Sequence, residues 1–120
     1  MPGGTVDASF AGHPLAYREM YDDFMEDLRS LGPVHEDAIG VGVFLKHELK
    51  FAEIRPKARS LQVAFVLPRL LEDPRISRAM RVSADRFWHV VKLTDVAQVD
   101  DDLREWLAEA YDAAGVPPSS

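Results

Sequence analysis

The side chains with the clearest potential for chemistry are four histidines, namely His13, His35, His47 and His89. Histidine can ligate metals and can act as an acid or base near neutral pH. None of the four has a recognised ligand spacing, so we predict no metal site and no bound cofactor. His89 is a weak candidate for acid–base catalysis, because it needs a partner such as Asp85 or Glu53 and the sequence places neither beside it.

A basic segment at the centre of the chain is the second candidate for chemistry. Residues 46–92 contain 11 Lys or Arg and 5 Asp or Glu, whereas the two ends contain 3 and 15. These cations either pair with acidic helices or meet an anion. The formal net charge of −6 disfavours non-specific affinity for nucleic acid. If an anionic ligand or nucleic acid does bind, the expected contacts are Arg55, Lys57, Arg59 and Arg86.

Several classes of function find no support in the sequence. There is no cysteine, which excludes disulfides, thiolate nucleophiles and thiolate metal sites, and we expect a cytoplasmic location. No apolar run approaches the ~20 residues of a membrane span, so no membrane association is predicted. No Ser-His-Asp arrangement, Gly-rich phosphate loop or RNA-binding signature occurs. The aspartates at 100–102 are explained by capping of a helix start.

A predicted antiparallel sheet positions the basic segment. Within residues 61–67, Leu61, Val63, Phe65 and Leu67 fall on one side, which is the period of a strand. Short links between successive strands favour a meander, with a helical turn at 75–78. Five strands are predicted, at residues 39–46, 50–55, 61–67, 79–82 and 87–93.

Two amphipathic helices flank the predicted strands. Apolar residues recur at helical spacing from Tyr17 to Leu31 and from Leu103 to Ala114, and Gly32 and Gly115 follow them as stop signals. The sequence therefore predicts an α+β two-layer sandwich of order α-β-β-β-β-β-α. We expect one domain at residues 13–115, a flexible arm at 1–12 and a disordered tail at 116–120.

Two helices can cover only one face of such a sheet, and we call the other the open face. Apolar residues beside basic ones are expected there, and exposed apolar surface usually marks an interface or a ligand groove. Either a second copy of the chain covers this face, or the N-terminal arm or the 69–78 connection folds over it. The predicted binding residues on this surface are Phe44, Arg55, Val66, Arg81 and Trp88.

Several short segments occur together in a characteristic order. They are FAG (10–12), VGVFLK (41–46), FAEIRPK (51–57), FVLPR (65–69), HVVKL (89–93) and DDDLREWLAEAY (100–111). This set resembles the bacterial domain of unknown function 5655 family, over about residues 10–114. The family has no established activity, so the resemblance implies no catalytic residues. It implies a compact α+β domain that stands alone or is attached to longer proteins.

The function predicted from the sequence is a non-enzymatic binding or protein-interaction module. We expect it to associate with itself, as a homodimer through the open face, or to bind another protein. The alternative is a binder of a small anion or nucleic acid through the basic segment. An enzyme centred on His89 is the third and least favoured hypothesis.

Overall fold

Residues 5–115, which a computed structural model of the chain describes, form six antiparallel strands in one sheet with helices packed on one face. The predicted α+β fold with an N-terminal and a C-terminal helix is confirmed. The predicted tail at 116–120 and the first four residues of the predicted arm lie outside the described residues. The elements are α1 (Val6–Phe10), α2 (Leu15–Leu31), β1 (His35–Ala38), β2 (Val43–Lys46), β3 (Lys50–Pro56), β4 (Leu61–Leu67), β5 (Ile76–Ser83), β6 (Arg86–Leu93), a 3-10 segment (Val96–Gln98) and α3 (Asp101–Ala114).

The helices α2 and α3 pack their apolar faces on the sheet, as their spacing predicts. Each fully buried large side chain stabilises the fold by ~1.5–3 kcal/mol relative to an exposed one. No helix within residues 5–115 combines the length and apolar character that a bilayer crossing requires. The buried residues of the two helices are Tyr17, Met20, Tyr21, Phe24, Met25, Leu28, Leu103, Trp106, Leu107, Ala110, Tyr111 and Ala114.

The start of α3 is fixed by Asp100, one of the aspartates that were expected to cap it. Its carboxylate accepts hydrogen bonds from the Leu103 N–H at 3.1 Å and from Arg75 Nη1 at 2.9 Å. The first of these, followed by the second, lowers the pKa of Asp100. Asp100 therefore caps the helix, and Asp101 and Asp102 lie in its first turn, where the helix dipole favours negative charge.

The end of α3 is held by the turn between β2 and β3. The Leu49 N–H donates to the Ala114 carbonyl at 3.1 Å, and His47 Nδ1 lies 3.0 Å from the Tyr111 carbonyl oxygen. The His47 ring stacks on the Tyr111 ring with centroids 3.9 Å apart. These contacts satisfy two carbonyl groups that a helix end otherwise leaves without partners.

The strand order is β1-β2-β3-β4-β6-β5. All neighbouring strands are antiparallel, but the sheet is not the predicted simple meander, because β6 and not β5 pairs with β4. β6 lies between β4 and β5, and the connection at residues 68–75 must cross it. It does so on the helix side, where the Leu71 N–H donates to His89 Nε2 at 2.9 Å and Arg75 lies 4.9 Å from the centroid of the Trp106 ring. This connection therefore does not cover the open face.

The first hairpin differs from the predicted strand at 39–46. Only Val43–Lys46 form β2, and the preceding residues turn the chain back from β1, a strand that the sequence analysis missed. The Ile39 N–H donates to the Gly42 carbonyl at 2.9 Å, and Gly40 has a φ of +83°, which favours glycine. β1 reads His-Glu-Asp-Ala and lacks the apolar alternation that would have revealed it.

The predicted helical turn at 75–78 is wrong, because β5 begins at Ile76. A turn is present slightly earlier, where the Ile76 N–H donates to the Asp73 carbonyl at 3.0 Å. The Asp-Pro signal therefore marked a real turn, but pairing with β6 extends the chain immediately after it.

The helix α1 lies within the segment for which we predicted a flexible arm. Thr5 caps it, and Phe10 is buried in the core with its ring centroid 5.0 Å from that of Tyr21. Because Phe10 packs against α2, α1 lies on the helix side of the sheet. It does not cover the open face either.

The two faces of β4 differ as predicted. Leu61, Val63, Phe65 and Leu67 are fully buried in the core between sheet and helices. Ala64 and Val66 face the other way and lie outside that core cluster, although they are only 4% and 8% exposed. Side chains on the open face must therefore shield them.

Candidate functional site

The candidate site is a groove in the open face. The strand register places Phe44, Glu53, Ala64, Val90 and Arg78 in one row across five neighbouring strands. Directly opposed residues in antiparallel strands share a face of the sheet. The small side chains of Ala64 and Val90 lie low at the centre of this row, and the larger side chains around them form the walls.

The groove has a volume of about 180 Å³. Trp88 and Met80 form an apolar wall on one side, and Arg55 and Gln62 form a polar wall on the other. Small-molecule sites are typically ~300–1,000 Å³, so this groove fits a side chain or a small anion better than a whole cofactor. The complete lining is Glu53, Arg55, Gln62, Ala64, Arg78, Met80, Trp88 and Val90.

A buried carboxylate organises the cations on β3. Glu53 is only 8% exposed, accepts a hydrogen bond from Arg55 Nε, and lies 3.9 Å from Lys50 Nζ. Glu53 and Arg55 lie on the same side of the strand and form an ion pair. Within residues 5–115 the two terminal guanidinium nitrogens of Arg55 make no hydrogen bond, so they remain available to a ligand.

Lys50 links the two aromatic residues of the open face. Its Nζ lies 3.9 Å from the centroid of the Phe44 ring and 5.2 Å from that of Trp88. An ammonium group over an aromatic face is attracted by ~0.5–1 kcal/mol at exposed sites and more when it is desolvated. The aromatic wall of the groove is therefore tied to the Glu53 cluster.

The open face carries an excess of positive charge. Two of its cations are neutralised locally, because Lys46 pairs with Asp37 at 3.1 Å and Arg55 pairs with Glu53. Three others, Arg78, Arg86 and Lys92, have no carboxylate partner within the described part of the chain. By register the cations of this face are Lys46, Lys50, Arg55, Arg78, Arg86 and Lys92, and its carboxylates are Asp37 and Glu53.

Four of the five predicted binding residues share the open face, namely Phe44, Arg55, Val66 and Trp88. Arg81 does not, which corrects the prediction. It is paired in register with Phe87, and its guanidinium carbon lies 5.8 Å from the Phe87 ring centroid on the opposite face. Met80, one residue earlier, opposes Trp88 instead.

The alternative anion-binding set does not converge. Lys57 and Arg59 lie in the turn between β3 and β4, beyond the pair Pro56–Leu61. Arg86 lies at the other end of the sheet and donates to the Lys50 carbonyl at 3.4 Å. Only Arg55 of that set lines the groove.

Six of the eight groove residues were not among the predicted binding residues, namely Glu53, Gln62, Ala64, Arg78, Met80 and Val90. The alternation along residues 61–67 leaves Gln62 and Ala64 on the side away from the core, but neither was selected. Arg78 was hidden because residues 75–78 were expected to be a helical turn. The strand period gave no clear signal there, because the pairing with β6 is irregular between Ile76 and Arg78, and Ile76 packs against the core on the other side.

His89 lies in the core and not in the groove. Its ring is fully buried on the helix side, stacks on Phe65 with centroids 5.4 Å apart, and accepts the Leu71 N–H. Its Nδ1 has no hydrogen-bond partner within residues 5–115. Glu53 lies on the opposite face of the sheet. The geometry therefore gives no support to an acid–base role and assigns His89 to holding the 68–75 connection.

Stability should depend on pH through His89. Burial, the largest cause, lowers its pKa below the ordinary value of 6.5. The unfolded chain then binds a proton more readily than the folded one, so the free energy of unfolding should fall as pH drops below about 6.5, by at most ~1.4 kcal/mol per pH unit. Urea denaturation at several pH values between 7.5 and 5 measures this slope.

The matched control for that slope is His89→Gln, which removes the titrating group. The variant should lose stability at neutral pH, since the packing on Phe65 changes, but its stability should vary less with pH between 7 and 5. Equal slopes in both proteins would show that His89 is not the group responsible.

Within residues 5–115, no three or more His, Asp or Glu side chains are close enough together to hold a metal ion. The groove has an apolar floor, one buried carboxylate, Glu53, and at its edge the cation Arg78, which has no carboxylate partner in the described part of the chain.

Comparison with known proteins places the chain in a family. The model of the domain of unknown function DUF5655 matches residues 6–114. The chain belongs to this family. The match spans every element from α1 to α3, so the DUF5655 domain includes the whole sheet and the groove. No curated protein and no solved structure matches the chain.

Proposed function

We propose that this DUF5655 domain is a non-enzymatic binding module whose open face takes a carboxylate-bearing segment of another protein. The observation that carries the proposal is the groove beside Trp88 and Met80, whose edge holds the unpaired cation Arg78. The lack of cysteine favours a cytoplasmic location, which is part of the proposal.

The lining of the groove favours a protein segment over a small anion. Arg78, which has no carboxylate partner within residues 5–115, lies on the same side of β5 as Met80, which is 47% exposed. A protein segment can offer a carboxylate to Arg78 and an apolar side chain to Met80 together, whereas a small anion can offer only the charge.

A homodimer through the open face is the second candidate, and Met80, which is 47% exposed, favours it. In a two-fold dimer the same patch meets itself, so the cations of one face would lie against the cations of the other. Like charges in an interface oppose association. The acidic partner therefore fits the electrostatics better than a second copy does.

Nucleic acid fits less well. The net charge of −6 repels phosphates at long range, and Lys57, Arg59 and Arg86 lie at opposite ends of the sheet rather than along one track. Trp88 is also engaged by Lys50, which leaves less of its ring free for base stacking.

The proposal is tested with a capped peptide, TTEVTETT, as the acidic probe. Binding is measured by titration calorimetry at low salt, with a TTKVTKTT peptide as the charge-reversed control. Arg78→Glu should weaken binding of the acidic probe at least ~10-fold, since it replaces an attraction with a repulsion at an exposed contact. The TTKVTKTT peptide should not bind the unsubstituted protein.

Arg59→Glu is the matched control variant, because it makes the same charge change at an exposed turn residue outside the groove. It should leave the affinity within about twofold. Equal weakening by Arg59→Glu and Arg78→Glu would show a general charge effect and contradict the proposed site. A dimer in light scattering that dissociates with Arg78→Glu would favour self-association instead.

A further inference from the structure

We infer that the acidic segment binds by pairing with the free edge of β5, so that it becomes a seventh strand of the sheet. This inference rests on the proposed function, and it adds how the partner is held. Strand addition to an exposed edge supplies main-chain hydrogen bonds, while pockets beside the edge select alternate side chains.

β5 is the more accessible of the two sheet edges. It has eight residues, whereas the other edge strand, β1, has four. Seven of the eight residues of β5 are exposed, and Met80 and Val82 are 47% and 58% exposed. Among the elements of residues 5–115, α1 packs near β1, and no helix packs extensively on β5.

The regular part of this edge is short. Pairing of β5 with β6 is irregular between Ile76 and Arg78 and again between Arg81 and Ser83. Residues 78–81 therefore form a four-residue window of even pairing. Irregular ends and edge cations are common ways of preventing unspecific edge pairing, so a partner must match this window.

Charge in the window disfavours pairing of β5 with itself. A second copy of β5 would bring Arg78 and Arg81 to the interface but no carboxylate to pair with them. Like charges that directly oppose each other across strands are destabilising, whereas opposite charges contribute ~0.2–1 kcal/mol. The edge therefore favours an acidic strand over a second copy.

The register also defines the side chains of the partner. Arg78 and Met80 face the groove, and Ala79 and Arg81 face the other side. An antiparallel partner strand should place a carboxylate opposite Arg81, an apolar residue opposite Met80, a small residue opposite Ala79 and a second carboxylate opposite Arg78. The core EVTE of the acidic probe has this pattern, and its valine would lie beside Met80 at the rim of the groove.

The experiment compares TTEVTETT with the same peptide N-methylated at its central valine and threonine. Methylation keeps every side chain but removes two adjacent main-chain donors, one of which must point at β5 in any register. We expect at least ~10-fold weaker binding of the methylated probe. We also expect slower hydrogen exchange of the β5 amides with the parent probe than with the methylated one.

The outcomes separate this inference from the proposed function. Equal affinity of the two probes, with chemical-shift changes at Arg55 and Lys92 and none along β5, would overturn strand addition and leave the groove as the site. No binding of the parent probe at millimolar concentration would overturn the proposed function and the inference together.

Discussion

Replacing Phe65 with alanine should lower the free energy of unfolding by ~3–5 kcal/mol, the range for large aromatic side chains deleted from a core. Phe65 is fully buried at the centre of β4. Its ring stacks on His89 at 5.4 Å and on Trp106 of α3 at 6.0 Å between centroids. The deletion therefore loosens contacts to β6 and to the helix layer together. Urea denaturation followed by circular dichroism measures the loss.

The next residue along the strand provides the matched control. Val66 is also shielded, at 8% exposed, but it faces the groove side and lies outside the core cluster. Val66→Ala should cost only ~1–2 kcal/mol, because two methyl groups are removed from a site that solvent can reach. Equal losses at the two positions would contradict the assignment of helix face and open face.

Gly42→Ala should be the most damaging of the glycine substitutions, at ~3 kcal/mol, the upper part of the range for overpacking. A Cβ at this position would collide with the Ile54 carbonyl oxygen and lie 3.2 Å from the Arg55 Cα. Both are backbone atoms of β3 and cannot rotate away. Relief of the collision must move β3, so the variant should also bind the acidic probe more weakly.

Gly12→Ala is the comparison for that prediction. No atom lies within 4 Å of a Cβ built there, but Gly12 has a φ of +80°. Gly12→Ala should lower the free energy of unfolding by ~1 kcal/mol, because alanine disfavours this backbone conformation and no steric clash adds to the loss. Thermal or urea unfolding of the two variants decides the point, and a Gly42→Ala protein as stable as Gly12→Ala would contradict the close approach of β3.

The sequence was most informative about elements whose hydrophobic pattern lies within a single segment. The alternation along residues 61–67 correctly separated the core side of β4 from the open face, and the spacing from Leu103 to Ala114 defined α3, with an aspartate expected as its cap. Burial of one face enforces these periods, so they are visible in single segments. The same reasoning placed Phe44, Val66 and Trp88 on one surface.

Strand order could not be derived in the same way. The local pattern does not show whether β5 or β6 pairs with β4, because both strands carry residues that could pack beside β4. The choice depends on how the 68–75 connection packs, through Leu71 on His89 and Arg75 on Trp106. These are long-range contacts without a periodic signature.

The error at Arg81 has a related cause. Side chains alternate with a period of two, so a register that differs by one residue moves a side chain to the other face. The irregular pairing between Arg81 and Ser83 sets that register, and it brings Met80 opposite Trp88. The groove itself depends on four strands together, which explains why Gln62 and Arg78 were not selected from the sequence.

The most direct test of the account is a map of backbone amide chemical shifts during titration with TTEVTETT. The account predicts that the largest changes occur along β5 and on the groove side of β6, including Arg78, Met80 and Trp88. Changes concentrated on α2 and α3, with the open face unaffected, would contradict it.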